Sequence, residues 1–392
     1  MLDAKTFRRA RIGTAISFFL NGFGHGTFVA RIPDLKNQLG ISNSVLGTSL
    51  FFGAAGVLAS LQLAGWLCAK YGSGPTTKYL NFSLLITPPL IGLNLGLVWF
   101  CFSLLINGFI FAAQDVAMNA HGSTLEVNSK YRVMSKFHAL WSLGAFSGGA
   151  LGGVATQFKI SPIINFIYIS IVIFIFATLI RNFYLNSSVD KHELKHRMKK
   201  KRPKVFFILG LLGLCAAVGE GAAADLGGIL IRDTFNANGF MVALPFVLFC
   251  TTMVIGRLSG DFLAHKFGTK NLIVAAGLIA GFGLAAGLSI GGQLGVLVAW
   301  FILGSGISVV IPMMFSAAGS IADKEYKNQI SGGEAIAIVS GVTYFGFVAG
   351  PPLMGYIADH ISLRWAMLIP AALALVLSIG DRKSTRLNSS HT

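Results

Sequence analysis

The chain has 392 residues, of which 54% are hydrophobic and only 12% are Asp, Glu, Lys or Arg, against the roughly 25% charged of a soluble globular domain. A mean hydropathy of +0.70 and repeated apolar stretches, each able to cross a hydrocarbon core of roughly 30 Å, exclude a water-soluble surface and indicate a multi-span membrane protein. The formal net charge is +16, and nine of the 31 Lys and Arg lie in the segment Arg181 to Lys204, including the run Lys199-Lys200-Lys201-Arg202. With no aromatic interleaving or recognition module beside it, that run reads as a cytoplasmic loop facing anionic lipid and not as a nucleic-acid site.

In chain order, the basic amino terminus runs into an apolar stretch from Ile12. Without a convincing small-residue cleavage site, it reads as a retained first span and not a signal peptide. Apolar segments fall at 12–30, 45–68, 79–97, 99–120, 138–156, 161–180, 205–226, 239–259, 271–290, 293–318, 333–356 and 364–380, which predicts an all-α membrane protein of twelve spans. The breaks at Lys70 to Lys78, His121 to Lys136, Gly260 to Lys270 and Asp323 to Gln329 suit turns or short loops. An even count puts both termini on one side. With that side cytoplasmic, 23 Lys and Arg face the cytoplasm, three of them assigned to the loop after span eight. Five face outward, Arg31, Lys36, Lys159, Arg232 and Arg364, the asymmetry of the positive-inside rule. The predicted organisation is a six-helix half over 1–180, a basic cytoplasmic linker over 181–204 and a second six-helix half over 205–381. The last eleven residues, 382–392, resemble translated sequencing-adapter sequence and are expected to be non-native. Cys68, Cys101, Cys215 and Cys250 lie in or beside apolar segments without a CxxC spacing, and predict neither a disulfide nor a metal site.

An internal repeat appears at an offset near 196. Lys70-Tyr71-Gly72 matches Lys266-Phe267-Gly268, and the glycine-rich stretches Gly148 to Gly153 and Gly346 to Gly350 fall into rough register. Two halves with the same sense across the membrane are related by an axis along the bilayer normal, with a transport path expected between them.

Ionisable and amide groups inside spans are candidates because lipid exposure of charge is costly. Asn21 and His25 share a face of span one, four residues apart, and can offer hydrogen bonds to a polyol. Asp115 and Asn119 do the same on span four; a cavity-lining pair and a helix–helix polar contact are both open. His138 and Trp141 begin span five, where the indole can stack on a sugar face or anchor at the interface. Glu220, flanked by Gly219 and Gly221 in span seven, is the leading candidate for proton coupling, with a structural pair to another span as the alternative. Asp225 and Glu334 suit a substrate contact, a cap or a gate. Arg31 and Asp34 can close an outer salt bridge, with Pro33 between them. Pro88-Pro89 and Pro351-Pro352 are expected to kink their spans. No Walker loop, metal-ligand spacing or nucleophile elbow is present, which argues against an enzyme and implies no cofactor.

The stretches Gly22-Phe23-Gly24-His25-Gly26, Arg31-Ile32-Pro33, Asp115 to Asn119, Met134 to Gly144 and Glu220 to Asp225 resemble the major facilitator superfamily, and within it a bacterial branch related to the fucose-permease-like transporters. The resemblance covers about residues 8 to 380. It implies a secondary transporter of the bacterial inner membrane, alternating access, a proton gradient as energy source, and a small polar solute and the lipid bilayer as partners, with a monomer sufficient. The family's loop after span two normally reads Gly-x-x-x-Asp-Arg-x-Gly-Arg. Here Gly65, Lys70, Gly72, Lys266 and Gly268 keep the turns, while Ala69 replaces the acidic position. Three functions follow: a proton-coupled carrier of a sugar-like solute, a multidrug or metabolite exporter, or a membrane sensor that has lost flux.

Overall fold

The computed structural model describes residues 3–129, 133–186, 203–326, 330 and 332–384. These fold into helices: α1 (Ala4–Leu39), α2 (Asn43–Tyr71), α3 (Ser73–Ser83), α4 (Thr87–Leu93), α5 (Leu97–Val127), α6 (Met134–Gln157), α7 (Pro162–Ile180), α8 (Lys204–Phe235), a 3-10 turn (Gly239–Val242), α9 (Leu244–Phe267), α10 (Thr269–Ile290), α11 (Gly292–Ile307), α12 (Val310–Glu325), α13 (Gly332–His360), α14 (Leu363–Ala366) and α15 (Leu368–Ser384). In lipid only a helix or a closed barrel satisfies its own backbone, so long apolar runs become helices. Among the described residues seven helical stretches are long and apolar enough to span a bilayer, by length and composition. The protein is thus an all-α, multi-pass membrane protein.

Prolines set the interruptions. A proline ring clashes with the carbonyl four residues earlier and offers no N–H. The segment 79–97, expected as one span, is accordingly divided between α3 and α4, with the break at Leu84 to Ile86, ahead of Pro88 and Pro89. Segment 293–318 breaks at Ser308 and Val309, four and three residues before Pro312. Pro33, Pro351 and Pro352 stay inside their helices.

The chain divides into two compact units, Met1–His196 with Asn238–Val247, and Arg197–Ala237 with Leu248–Thr392. In the first unit α1 and α6 meet backbone to backbone. A Cβ on Gly22 or Gly26 would lie 2.0 Å from the carbonyl oxygens of Trp141 and Ala145, and one on Gly144 or Gly148 would meet those of Phe19 and Phe23 at 2.2 and 2.1 Å. Small residues permit this approach, which dispersion rewards where lipid removes the hydrophobic drive. The repeat recurs in packing. Gly108 would place a Cβ against the carbonyl of Gly53, and Gly304, 196 residues on, against that of Phe249.

The two repeated turns share one geometry. Gly72 (φ 90°, ψ 151°) and Gly268 (φ 81°, ψ 141°) each separate two helices in a conformation unfavourable to a side chain. Each donates its N–H at 2.9 Å to the carbonyl four residues back, Cys68 and Ala264.

Candidate functional site

The first cluster is built on α1, α5 and α6. Asn21, only 1% exposed, donates through Nδ2 to Gln114 Oε1 and, at 3.2 Å, to the Phe111 carbonyl. Its Oδ1 accepts from Trp141 Nε1 at 2.8 Å. Both amide protons are therefore used inside the protein, and Asn21 acts on the indole it positions. Gln114 Nε2 continues the chain to Asn81 Oδ1 at 2.9 Å. Asn81 Nδ2 donates to Ser17 Oγ at 3.0 Å and to the Tyr184 hydroxyl at 2.6 Å. Ser17 Oγ donates to the Gly13 carbonyl at 2.9 Å and shares a 2.7 Å hydrogen bond with the Tyr184 hydroxyl, which also reaches the Gly13 carbonyl at 3.5 Å. Burial pushes the Tyr184 phenol above its ordinary range, which keeps that proton in place.

This spine ends on the segment after α7, where a second histidine holds the chain. His121, fully buried, accepts the Leu185 N–H on Nε2 at 3.1 Å. Thr14 sends its hydroxyl proton to the Ala10 carbonyl at 2.8 Å, so His121 Nδ1, 2.7 Å away, is the donor to Thr14. The expected loop from His121 onward thus begins as helix: α5 runs on to Val127 because its polar residues find partners.

His25 stacks on Trp141, ring centroids 5.7 Å apart, with Phe111 at 5.5 Å and Phe246 edge-on at 6.4 Å. His138, three residues before Trp141, is exposed and sets its ring edge against Phe18 at 5.3 Å. Asp115 and Asn119 do meet: Asn119 Nδ2 donates to Asp115 Oδ1 at 3.1 Å and to its backbone carbonyl at 2.8 Å. Both are partly exposed, so the second carboxylate oxygen and the amide oxygen remain available to a ligand.

In the second unit Glu220 on α8 pairs with Arg257 on α9, Oε1 to Nη2 3.2 Å, at 16% and 13% side-chain exposure. Arg257 lies within the expected span 239–259 and inside α9, which continues to Phe267 and so makes most of the expected break at Gly260 to Lys270 helical. Asp225, on the same helix as Glu220, is partly exposed and makes no hydrogen bond or ion pair with another described residue. Glu334 lies in the first turn of α13, and its side chain is outside the described residues, as is most of the tail 382–392.

Arg31 and Asp34 pair as the spacing suggested, Nε to Oδ2 2.9 Å, although α1 passes through Pro33 without a break. Arg31 also donates from Nη2 to the Ile160 carbonyl at 2.6 Å, and Asp34 accepts from Thr156 at 3.1 Å. The ion pair is close without hydrogen-bond alignment, leaving Nε and Nη1 of this buried arginine without a bonded acceptor. At the repeated loops Lys70 lies over Trp66 and Tyr71 at 4.6 and 5.1 Å, and Lys266 over Phe262 and Phe267 at 5.9 and 5.3 Å. Cation–π contacts thus stand beside the missing aspartates. A Cβ on Gly65 would face open space among the described residues.

Gln114, Asn81, Tyr184 and Arg257 are functional candidates that sequence reasoning passed over. Treating every amide and guanidinium within reach of a span as costly until partnered would have found all but Tyr184. No group of three or more His, Cys, Asp or Glu that could hold a metal occurs among the described residues.

These features define a polytopic membrane protein with networks of paired polar groups inside its helix bundles. A model described as Major Facilitator Superfamily matches residues 14–333, and the chain belongs to that family. It is therefore a secondary transporter and not an enzyme. A protein described as an uncharacterized transporter, y4wD, of Sinorhizobium fredii is 28% identical over 371 residues, 94% of this chain and 96% of its own. Among solved structures, a variant of the nucleoside transporter NupG aligns with TM-score 0.75 at 15% identity, over 95% of this chain and 99% of that one. A variant of the E. coli fucose:proton symporter FucP aligns with TM-score 0.62 at 18% identity, over 95% and 97%. At these identities the structural likeness shows the fold.

Proposed function

We propose that the chain is a proton-coupled symporter of a small, polyhydroxylated, sugar-like solute, with twelve spans in two six-helix halves, working by alternating access in the bacterial inner membrane with both termini cytoplasmic. The observation that carries the coupling is the Glu220–Arg257 pair. An ion pair away from bulk water is held by its Coulomb term against a desolvation cost, and losing one charge leaves the other uncompensated. A proton reaching Glu220 removes that charge and frees Arg257 to seek a new acceptor, a bistable element that solute binding can bias. Asp115 and Asn119 supply hydroxyl-binding oxygens, the Trp141–His25 stack supplies an aromatic wall, and Asn21 positions the indole. Asp225 is a further carboxylate for this pathway, Glu334 one for its end, and the Arg31–Asp34 pair an outer gate. The sequence resemblance to fucose-permease-like transporters supports the sugar-like solute, and the two solved transporters named above carry a sugar and sugar-bearing nucleosides.

Entrance counterflow in proteoliposomes tests this reading, with sugars, polyols and nucleosides as solutes. Counterflow exchanges solute without net proton movement. Glu220→Gln is expected to retain it while losing accumulation driven by an imposed proton gradient. Absence of counterflow for every polar solute, with exchange of cationic or apolar compounds instead, would contradict the proposal and favour an exporter.

A further inference from the structure

Inside the first unit a small cavity opens between α1, α4, α5 and α7. His25, Thr87 and Asn107 line it together with the rings of Phe28, Phe111 and Phe166. None of the three polar side chains makes a hydrogen bond to another described residue; Thr87 is only 2% exposed, and His25 and Asn107 are half-buried. Buried polar groups in proteins are almost always satisfied, by protein or by ordered water. In a membrane span the alternative is an unpaired donor or acceptor in an apolar setting, which is costly. The cavity has a volume of about 20 Å³, where one water needs roughly 10–15 Å³. It therefore fits one or two waters and is too small for a sugar. Its polar lining supplies the two to four partners a water requires, whereas a wholly apolar cavity stays dry.

We infer that this cavity is a buried water site bridging His25, Thr87 and Asn107, and that it gives the His25 imidazole proton exchange from within the first unit. The site is distinct from the Asp115–Asn119 pair and does not depend on which solute is carried. The aromatic contacts of His25 are with Trp141, Phe111 and Phe246, and the residue itself lines the cavity. None of the cavity-lining residues carries a formal charge, so water and not an ion is the occupant. On α5, Asp115 follows Phe111 by one turn but is bonded to Asn119. On α6 the facing side chain is Trp141.

Two measurements on the full chain in detergent or nanodiscs test the inference. The first is X-ray radiolysis with mass spectrometry, in which bound water produces hydroxyl radicals that label its neighbours. Phe166, 1% exposed, is expected to be oxidised while Phe100, 0% exposed and outside the cavity lining, is not. Equal protection of the two rings would overturn the site. The second is deuterium exchange at the imidazole C2 position. His25 is expected to exchange at least ~10-fold faster than His121, whose ring nitrogens are both bonded to protein. Thr87→Val, which is isosteric, and Asn107→Leu are expected to reduce the His25 rate towards that of His121. Slow exchange in the unaltered chain, or rates unmoved by both substitutions in variants of native helix content, would overturn it.

Discussion

The most informative single perturbation is Gln114→Leu, because Gln114 joins the two ends of the polar spine. The change conserves volume closely, so its effect is that of hydrogen bonds and not of a cavity. It removes the bond from Asn21 Nδ2 to Gln114 Oε1 and the 2.9 Å bond from Gln114 Nε2 to Asn81 Oδ1, with a long 3.4 Å contact to the Ser17 carbonyl. Asn21 keeps its Phe111 acceptor at 3.2 Å, whereas Asn81 Oδ1 loses its donor. Interhelical hydrogen bonds in membrane proteins average ~0.6 kcal/mol and reach ~1.7, so losing two predicts ~1–3 kcal/mol of destabilisation. A central value of ~2 kcal/mol is a roughly 30-fold change in the folded-to-unfolded ratio. The assay is unfolding in mixed micelles followed by Trp141 fluorescence, with Trp66, Trp99, Trp300 and Trp365 replaced by Phe in every variant. In a double-mutant cycle with Asn81→Leu, a coupling of at least ~0.5 kcal/mol is expected. A coupling indistinguishable from zero, or a single-variant effect below ~0.5 kcal/mol, would refute the claim that the amide network ties α1, α3 and α5 together.

Gly26→Ala drives a Cβ to 2.0 Å from the Ala145 carbonyl; a backbone clash of this kind is expected to cost ~1–3 kcal/mol and to lower the yield of folded protein on size-exclusion chromatography. Arg257→Gln leaves Glu220 charged without its partner and is expected to destabilise the second unit by ~2–4 kcal/mol at neutral pH. Adding Glu220→Gln should recover much of that loss, and denaturation of both variants against pH would show it. His121→Leu leaves the Leu185 N–H without an acceptor, a cost of ~1–3 kcal/mol expected to appear as faster amide exchange of the segment after α7.

The membrane class, the helical architecture and the repeated turns were legible because each rests on a local property. Apolar length reports a span, and Gly72 and Gly268 report a backbone conformation that favours glycine. The i,i+4 pair Asp115 and Asn119 followed from helical spacing and does meet in space. Partnerships across the sequence were not legible. Arg257 lies 37 residues from Glu220 and Asn81 lies 103 from Tyr184, and no periodicity carries information over such separations. His138 and Trp141, three apart on α6, both meet α1, at Phe18 and Asn21; the spacing gave their shared side, whereas the partner residues on the other helix were not legible. Helix ends were also underestimated, since hydropathy marks the lipid-buried portion while α1 and α5 continue beyond it through partnered polar residues such as Arg31 and His121.

The central claim, that solute movement is coupled to a proton through Glu220, is tested most directly by solute-dependent acidification of the interior of proteoliposomes carrying a pH-sensitive dye. Neutral sugars, polyols and nucleosides are presented to the unaltered chain and to Glu220→Gln. The account predicts acidification with at least one polyhydroxylated solute and its loss in Glu220→Gln, while that variant still exchanges the same solute. Transport of such a solute by the unaltered chain with no accompanying proton, or acidification that persists undiminished in Glu220→Gln, would contradict it.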